Sequence, residues 1–382
     1  MGCRGPRLRP RLARLGSTGT SPVSAETFAA VPGAIVDERG LSHLGNPVRE
    51  QRELAAGNAV APLDDRVVLT VAGEDRLSWL DSITSQALTS LTPGVGTELL
   101  VLDPQGHVEH AASVVDDGER TWLIVDRDRA AGLLTWLTRM RFRLRVDPQD
   151  VSADFAVVGG TVEAADALGA AVVWRDPWPH VGIGGWGYAA TEPHPGAERD
   201  WAEAVVPRSV LDDLAAAAAR GEAHLAGYLA VDALRVAAWR PRASAEADGR
   251  TLPHEVDWLR TAVHLDKGCY RGQETVAKVH NLGHPPRRLV SLQLDGSDAE
   301  LPTPGAAVRL DGTDVGAITS VARHHEEGPI ALAIVKRSVP VDAALTVEVP
   351  DGEVAAAQEV VVPPDAGRAA SIPRLPRLSQ RR

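Results

Sequence analysis

The chain has 382 residues, 44% of them hydrophobic and 24% charged, and a net charge of −11; that length supports two or three domains with cores of their own. Its longest apolar stretch, Leu214–Ala219, is bounded by Asp212, Asp213 and Arg220 and falls far short of the roughly 18–20 residues that span a bilayer, so the chain reads as soluble. Residues 1–25 and 366–382 each carry five arginines and no acid; setting those ten charges aside leaves the body at −21, which argues against nucleic acid as the main partner.

In chain order, the basic opening with Arg4, Arg7, Arg9, Arg11 and Arg14 fits a transit peptide or an over-extended start equally well, and residues 1–25 are set aside as a disordered extension. Arg66–Ala72 reads as a buried strand broken by Gly73, after which Leu77, Leu80 and Ile83 fall at helical spacing. Thr97–Leu102, His107–Val115 and Thr121–Val125 read as strands joined by Asp-Pro-Gln-Gly and Asp-Asp-Gly turns. A helix follows over Arg127–Met140, with Leu133, Leu134 and Leu137 inward, then strands over Arg141–Val146 and Ala153–Val158. Residues 172–200, rich in Trp, Gly and Pro, show no clean period. Helices are predicted from Pro207 to Arg220 and from Ala223 to Trp239, and 241–257 reads as loop. After Pro285-Pro286 short alternating segments separated by Asp-Gly and Pro-Gly turns indicate a small β-barrel, followed by a disordered tail over 363–382. The fold class is α+β followed by all-β.

The chemistry concentrates at Asp266-Lys267-Gly268-Cys269-Tyr270-Arg271-Gly272-Gln273-Glu274. Only two cysteines exist, Cys3 and Cys269, which excludes a disulfide framework, fits a reducing cytoplasm, and leaves too few thiolates for a four-cysteine iron–sulfur or zinc site. The chain has 37 arginines but three lysines, and two of these, Lys267 and Lys278, flank Cys269. An ammonium is a compact point charge where a guanidinium is a planar fork, and nearby cations raise a thiol's thiolate fraction; Lys267 and Arg271 are the candidates. The competing reading of the same residues is a tight loop with Cys269 as a small buried hydrophobe.

Lys267-Gly-Cys-Tyr-x-Gly-Gln-Glu274 resembles the signature of the YgfZ family, relatives of the glycine-cleavage T protein. Arg66–Leu80, Leu102-Asp-Pro-Gln-Gly106, Asp232-Ala-Leu-Arg235, Leu252-Pro253-x-Glu255 and Val315-Gly316-x-x-Thr319-Ser320 extend the resemblance over about 41–350. It implies a T-protein-like folate-binding domain over 26–284, in two lobes of about 41–150 and 151–284, and a C-terminal barrel over 285–362. It further implies a cytoplasmic accessory factor, rather than a catalyst, that binds tetrahydrofolate or a related folate. Its partners would be iron–sulfur client enzymes, tRNA-modifying ones among them, or cluster-assembly proteins, with no direct nucleic acid and no membrane. Cys269 matches the family's functional thiol, with Lys267 beside it. Lys267, Gly268, Tyr270, Gly272, Gln273, Glu274, Arg235 and Glu255 are the expected folate contacts, and no metal is expected. This reading places Cys269 on a flexible turn at the mouth of a pterin-shaped cavity.

The alternative is a folate-dependent aminomethyl or one-carbon transferase. Against it, Gly106-His107-Val108-Glu109-His110 lacks the acidic pair of the transferring relatives, and Val236-Ala237-Ala238-Trp239 lacks a glutamate that contacts the pterin there. Losing an acid–base group costs roughly two to four orders of magnitude in rate. A thiol enzyme with Cys269 as nucleophile is a third reading. His110 is expected on an exposed strand face. Trp174, Trp178 and Trp186 either stack on a flat ring or pack in the core.

Overall fold

The computed structural model describes residues 27–189, 191–296 and 301–369. The basic extension over 1–25, Cys3 and tail residues 370–382 lie outside them. Among the described residues no helix is long and apolar enough to cross a membrane.

A two-stranded hairpin, β1 (Ile35–Asp37) and β2 (Gly40–His43), precedes helix α1 (Pro47–Ala55), which Asn46 caps by accepting from the Arg49 amide. Next come β3 (Ala61–Pro62), β4 (Arg66–Ala72), α2 (Arg76–Ile83), β5 (Gly96–Leu102), β6 (Val108–Asp116), β7 (Arg120–Asp126), α3 (Arg127–Met140) and β8 (Asp147–Asp150). The second half holds β9 (Phe155–Gly160), α4 (Val162–Asp166), β10 (Val172–Arg175), β11 (Ala202–Pro207), α5 (Ser209–Ala219), α6 (Tyr228–Ala237), α7 (Ala243–Glu246) and α8 (Gln273–Leu282). Six strands follow, β12 (Arg287–Leu294), β13 (Ala307–Leu310), β14 (Thr313–His324), β15 (Gly328–Lys336), β16 (Leu345–Val349) and β17 (Gly352–Val360), and they close into a barrel.

Two antiparallel sheets form the body, one ordered β5-β6-β7-β4-β8 and one ordered β10-β11-β9-β3. Period-two alternation decides what each face carries. On β4 and β7, Leu69, Val71, Leu123 and Val125 pack under α2 and α3 with Leu80, Leu133 and Leu137. Their neighbours Val68, Trp122 and Ile124 turn to the other side and meet Val157, Trp174, Trp201 and Val205 of the second sheet. On β11, Ala202, Ala204 and Val206 pack beneath Leu211 and Ala215 of α5. The same alternation sends Arg66, Glu98, Asp126 and Glu203 to the inner side, where they line a cavity between the sheets.

Several boundaries depart from the expectations above. Arg141–Val146 is not a strand; the edge strand begins at Asp147 and pairs with β4. The helix expected from Ala223 starts at Tyr228, because Leu225 and Ala226 run beside Val60 and Gly227 packs against the Ser42 backbone. The expected loop 241–257 contains α7 and a short 3-10 turn over Pro253–Val256. Residues 363–369 do not trail away: Ala366 is buried, and the Ala369 amide donates to the His280 carbonyl at 2.8 Å.

Candidate functional site

The inner cavity has a volume of about 60 Å³, room for a few waters. Two lattices of ion pairs cross its walls. In the first, Arg66 bridges Asp126 (2.6 Å) and Glu203 (3.2 Å), while Arg242 bridges Asp126 (2.7 Å) and Asp65 (2.7 Å). Arg39 extends it to Asp65 at 2.6 Å and to Asp232, and Arg235 ties Asp232 (3.3 Å) to Glu246 (3.2 Å). In the second, Arg240 bridges Glu98 (2.5 Å) and Asp176 (3.2 Å), and Arg199 holds Asp176 at 3.0 Å.

Burial opposes the ionisation of Asp65 and Asp232, but the neighbouring arginines outweigh it. Asp65, between Arg242 and Arg39, is held well below the usual carboxylate range, and Asp232, beside Arg39 and Arg235, is held at about 2. Three polar atoms lining this cavity are buried without a hydrogen-bond partner: Glu203 Oε2, Arg240 Nη1 and Trp258 Nε1. One accepts and two donate. An unmade hydrogen bond on a buried group costs about 1–3 kcal/mol, so three on side chains that share one small cavity offer groups that a polar ligand's edges could meet. Trp174 and Trp201 complete the walls.

An outer chamber of about 660 Å³ adjoins it, lined by Glu38, Arg127, Leu229 and Ser244 on the body and by Thr319 and Ser320 of the barrel. Its size falls in the range of small-molecule pockets, about 300–1,000 Å³. Arg39, Asp65, Tyr228, Asp232, Arg235 and Arg242 line both chambers and form the partition between them. Arg235 also fastens body to barrel through Ser320 Oγ at 2.7 Å.

Most of the expected folate contacts lie elsewhere. Arg235 lines both chambers; Lys267, Gly268, Tyr270, Gly272, Gln273, Glu274 and Glu255 line neither. Glu255 is fully buried, accepts from the Leu252 and Arg287 amides, and pairs with the Arg287 side chain at 2.8 Å, which fastens the 3-10 turn to β12. Lys267 Nζ donates to the carbonyls of Asp81, Thr84 (2.9 Å) and Gln86 (2.7 Å), so it closes the end of α2. It also sits 5.4 Å from the centroid of the buried Tyr270 ring. Arg271 is paired with Glu109 at 2.7 Å. Both cations thus have partners of their own.

Gly272 takes φ +85°, and a Cβ there would lie 2.6 Å from the Asp103 carbonyl oxygen. Gly106 takes φ +83°, and a Cβ there would lie 2.9 Å from Thr275 Cβ. The Asp-Pro-Gln-Gly turn and the start of α8 thus dock through two glycines. Gln273 Nε2 closes the loop onto the Lys267 carbonyl at 3.2 Å, whereas Glu274 is exposed and Gly268 faces open space. Cys269 is free and exposed on this loop and lines neither chamber. The expected place at a cavity mouth is not one of these two chambers; the loop that carries Cys269 is held to the 102–109 hairpin through Arg271–Glu109 and Gly272.

His110 is corrected as well. It faces inward against Gly132, and burial, with Arg129 nearby, pushes it down to about 4. Trp174 lines the inner chamber, Trp178 is core, and Trp186 packs its ring 5.0 Å from His280. Trp201, Trp258, Glu203, Arg240 and the Arg39 hairpin were not singled out from sequence. Among the described residues no group of three or more His, Cys, Asp or Glu could hold a metal ion.

With this geometry in place, comparison with known proteins decides the fold. The chain superposes on the crystal structure of glycine cleavage system aminomethyltransferase T from Bartonella henselae with a TM-score of 0.69, over 89% of this chain and 96% of that one, at 16% identity. The fold is that of a T protein. Residues 287–364 match the family model of the glycine cleavage T-protein C-terminal barrel domain, the segment that closes as β12–β17. A chloroplastic Arabidopsis thaliana protein provisionally named a transferase is 34% identical over 98 residues, 25% of this chain. This chain spans only 21% of that relative's length.

Proposed function

We propose that the paired chambers bind a folate, with its ring toward the inner chamber and its tail in the outer one, and that the protein is a folate-binding accessory factor of the YgfZ type. The observation that carries this reading is the trio of unpartnered buried atoms, Glu203 Oε2, Arg240 Nη1 and Trp258 Nε1, between indole walls. A pterin carries N–H donors for a carboxylate and carbonyl and ring-nitrogen acceptors for a guanidinium or an indole N–H. The residues present therefore fit the group chemically. When bound, tetrahydrofolate would supply its one-carbon-carrying nitrogens. The chain's own residues would orient the ring, exclude water and fix the tail.

Binding rather than turnover is favoured by the carboxylates. Asp65, Asp126, Asp176, Asp232 and Glu98 are each tied to at least one arginine, and Glu109 is paired at the surface with Arg271. What is left over is the second, buried oxygen of Glu203 in the inner chamber and the solvent-exposed Glu38 at the outer one, a poor basis for general acid–base work. The aminomethyl- or one-carbon-transferase reading is thereby the weaker one. The exposed loop of Cys269 is suited to meeting another macromolecule, and we assign that role to iron–sulfur client enzymes or cluster-assembly partners.

Calorimetric titration with tetrahydrofolate tests the reading. Saturable one-to-one binding without consumption of an aminomethyl or methyl donor is the expected result; sustained turnover would favour the transferase. In cells, Cys269→Ala is expected to lower iron–sulfur enzyme activity while leaving folate binding intact. Unchanged activity removes the partner role.

A further inference from the structure

The inner chamber is the smaller of the two and lies behind the partition, so access to it turns on which part of the partition yields. Arg39 sits at the tip of the β1–β2 hairpin between exposed Glu38 and Gly40, and Gly40 takes φ +127°. Its guanidinium is pinned to Asp65 at 2.6 Å and to Asp232, and it stacks over Tyr228 at 4.3 Å. Among the partition's arginines it is the least buried, with a side chain 32% exposed against 10% for Arg242 and 8% for Arg235. Both its carboxylates have a second arginine: Asp65 keeps Arg242 at 2.7 Å, and Asp232 keeps Arg235 at 3.3 Å. Withdrawing Arg39 therefore leaves no buried carboxylate without a cation, the condition that makes breaking a buried ion pair costly.

We propose that Arg39 is the gate between the chambers. Swinging its side chain off Asp65 and Asp232 toward solvent joins the 60 Å³ and 660 Å³ spaces into one cavity that admits the ring. The hairpin stays in place, because Leu41 and Ser42 on β2 are buried; the moving part is the side chain at its tip. Ligand entry is then a competition between Arg39 and the incoming molecule for the partition. A gate open about a tenth of the time weakens apparent affinity about tenfold relative to one held open. High ionic strength, which screens a partly exposed ion pair more than a buried one, favours opening.

The inference rests on the folate reading for the identity of the ligand, but the gate has a readout of its own. Trp174, Trp201 and Trp258 line the inner chamber, so acrylamide quenching of tryptophan fluorescence reports access without folate. Arg39→Ala is expected to raise quenching and to bind tetrahydrofolate roughly tenfold faster in stopped-flow. Millimolar methylguanidinium, which can refill the vacated place, is expected to reverse both effects in this variant and change neither in the wild type. Wild-type protein taken from low to high salt provides the second route, with quenching rising if Arg39 is the gate. Arg39→Ala that remains folded and quenches as the wild type overturns the proposal. So does quenching that methylguanidinium cannot reverse, since that would report general loosening. If no variant binds tetrahydrofolate but quenching rises and is reversed, the gate stands and the folate reading falls.

Discussion

Lys267 is the clearest case of a residue whose rarity carried a true signal with a different meaning. Among 37 arginines and three lysines, it stands where three backbone carbonyls converge, and its side chain is 3% exposed. A compact ammonium with three donors fits that point; a planar fork does not. Lys267→Met should strip those carbonyls of their donor and cost about 1–3 kcal/mol in urea unfolding. The rate of Cys269 alkylation should stay within about twofold, because Lys267 is engaged by the three carbonyls and by the Asp81 carboxylate at 3.5 Å. A large fall in alkylation without loss of stability would restore the thiol-tuning role that sequence proximity suggested.

Titration makes a second residue-scale prediction. Burial pushes His110 and His194 down to about 4 and His254 to about 3, and pushes Asp64 and Asp257 up to about 6. Below pH 6 the unfolded chain therefore binds histidine protons that the native protein refuses, at these three and at His280 and His324, which burial also lowers. The native protein in turn holds two carboxyl protons that the unfolded chain has released. The surplus of protons lies with the unfolded state, so stability falls as pH drops from neutrality through this window. His254→Gln removes one of these histidines and should make that dependence shallower. Urea unfolding between pH 7 and 4.5 checks it; an unchanged slope would show that His254 is not held neutral.

At the scale of elements, the two glycine motifs are coupled. Gly106 and Gly272 both have positive φ and meet across the hairpin–helix contact. Gly272→Ala combines a left-handed backbone with a clash against Asp103 and Leu102, and should cost about 2–4 kcal/mol, a strained residue alone being worth about 1–3. Gly268→Ala, with ordinary φ and nothing within 4 Å, should change the melting temperature by less than a degree or two. Equal effects of the two would mean the loop tolerates a Cβ anywhere.

The local order of the first sheet was legible because its strands alternate and its turns are explicit: Arg66–Ala72 and the Arg127–Met140 helix stand as read. Strand β11 was not legible, because Ala202-Glu-Ala-Val-Val-Pro207 is buried almost throughout and follows a Trp-, Gly- and Pro-rich stretch. Hence Glu203 was passed over. The contact between Gly106 and Gly272 was hidden for another reason: both motifs were seen, but nothing in either spells the other. The chambers, likewise, draw on the hairpin, both sheets, α6 and the barrel, an assembly that no local pattern encodes.

Across the whole molecule, the buried charge lattices set the expected ranking of damage. Arg240→Met removes the arginine that Glu98 depends on, leaving that buried carboxylate with the Thr261 hydroxyl at 2.5 Å. Breaking a buried pair in this way costs about 3–5 kcal/mol. Arg39→Ala, whose carboxylates retain other arginines, should cost under about 1 kcal/mol, in the range of partly exposed pairs. Guanidinium unfolding of the two variants side by side checks the order, and its reversal would mean the partition is held chiefly from the hairpin.

The account depends most on Glu203, Arg240 and Trp258 forming a recognition surface for a pterin ring, and tetrahydrofolate titration followed by intrinsic tryptophan fluorescence tests it directly. The wild type should give a saturable change, and Glu203→Gln, which keeps the shape but not the charge, should weaken binding by roughly tenfold or more, as loss of a charged hydrogen bond of about 1.5–3 kcal/mol requires. No saturable signal at millimolar folate, or saturation that Glu203→Gln leaves unchanged, would contradict it.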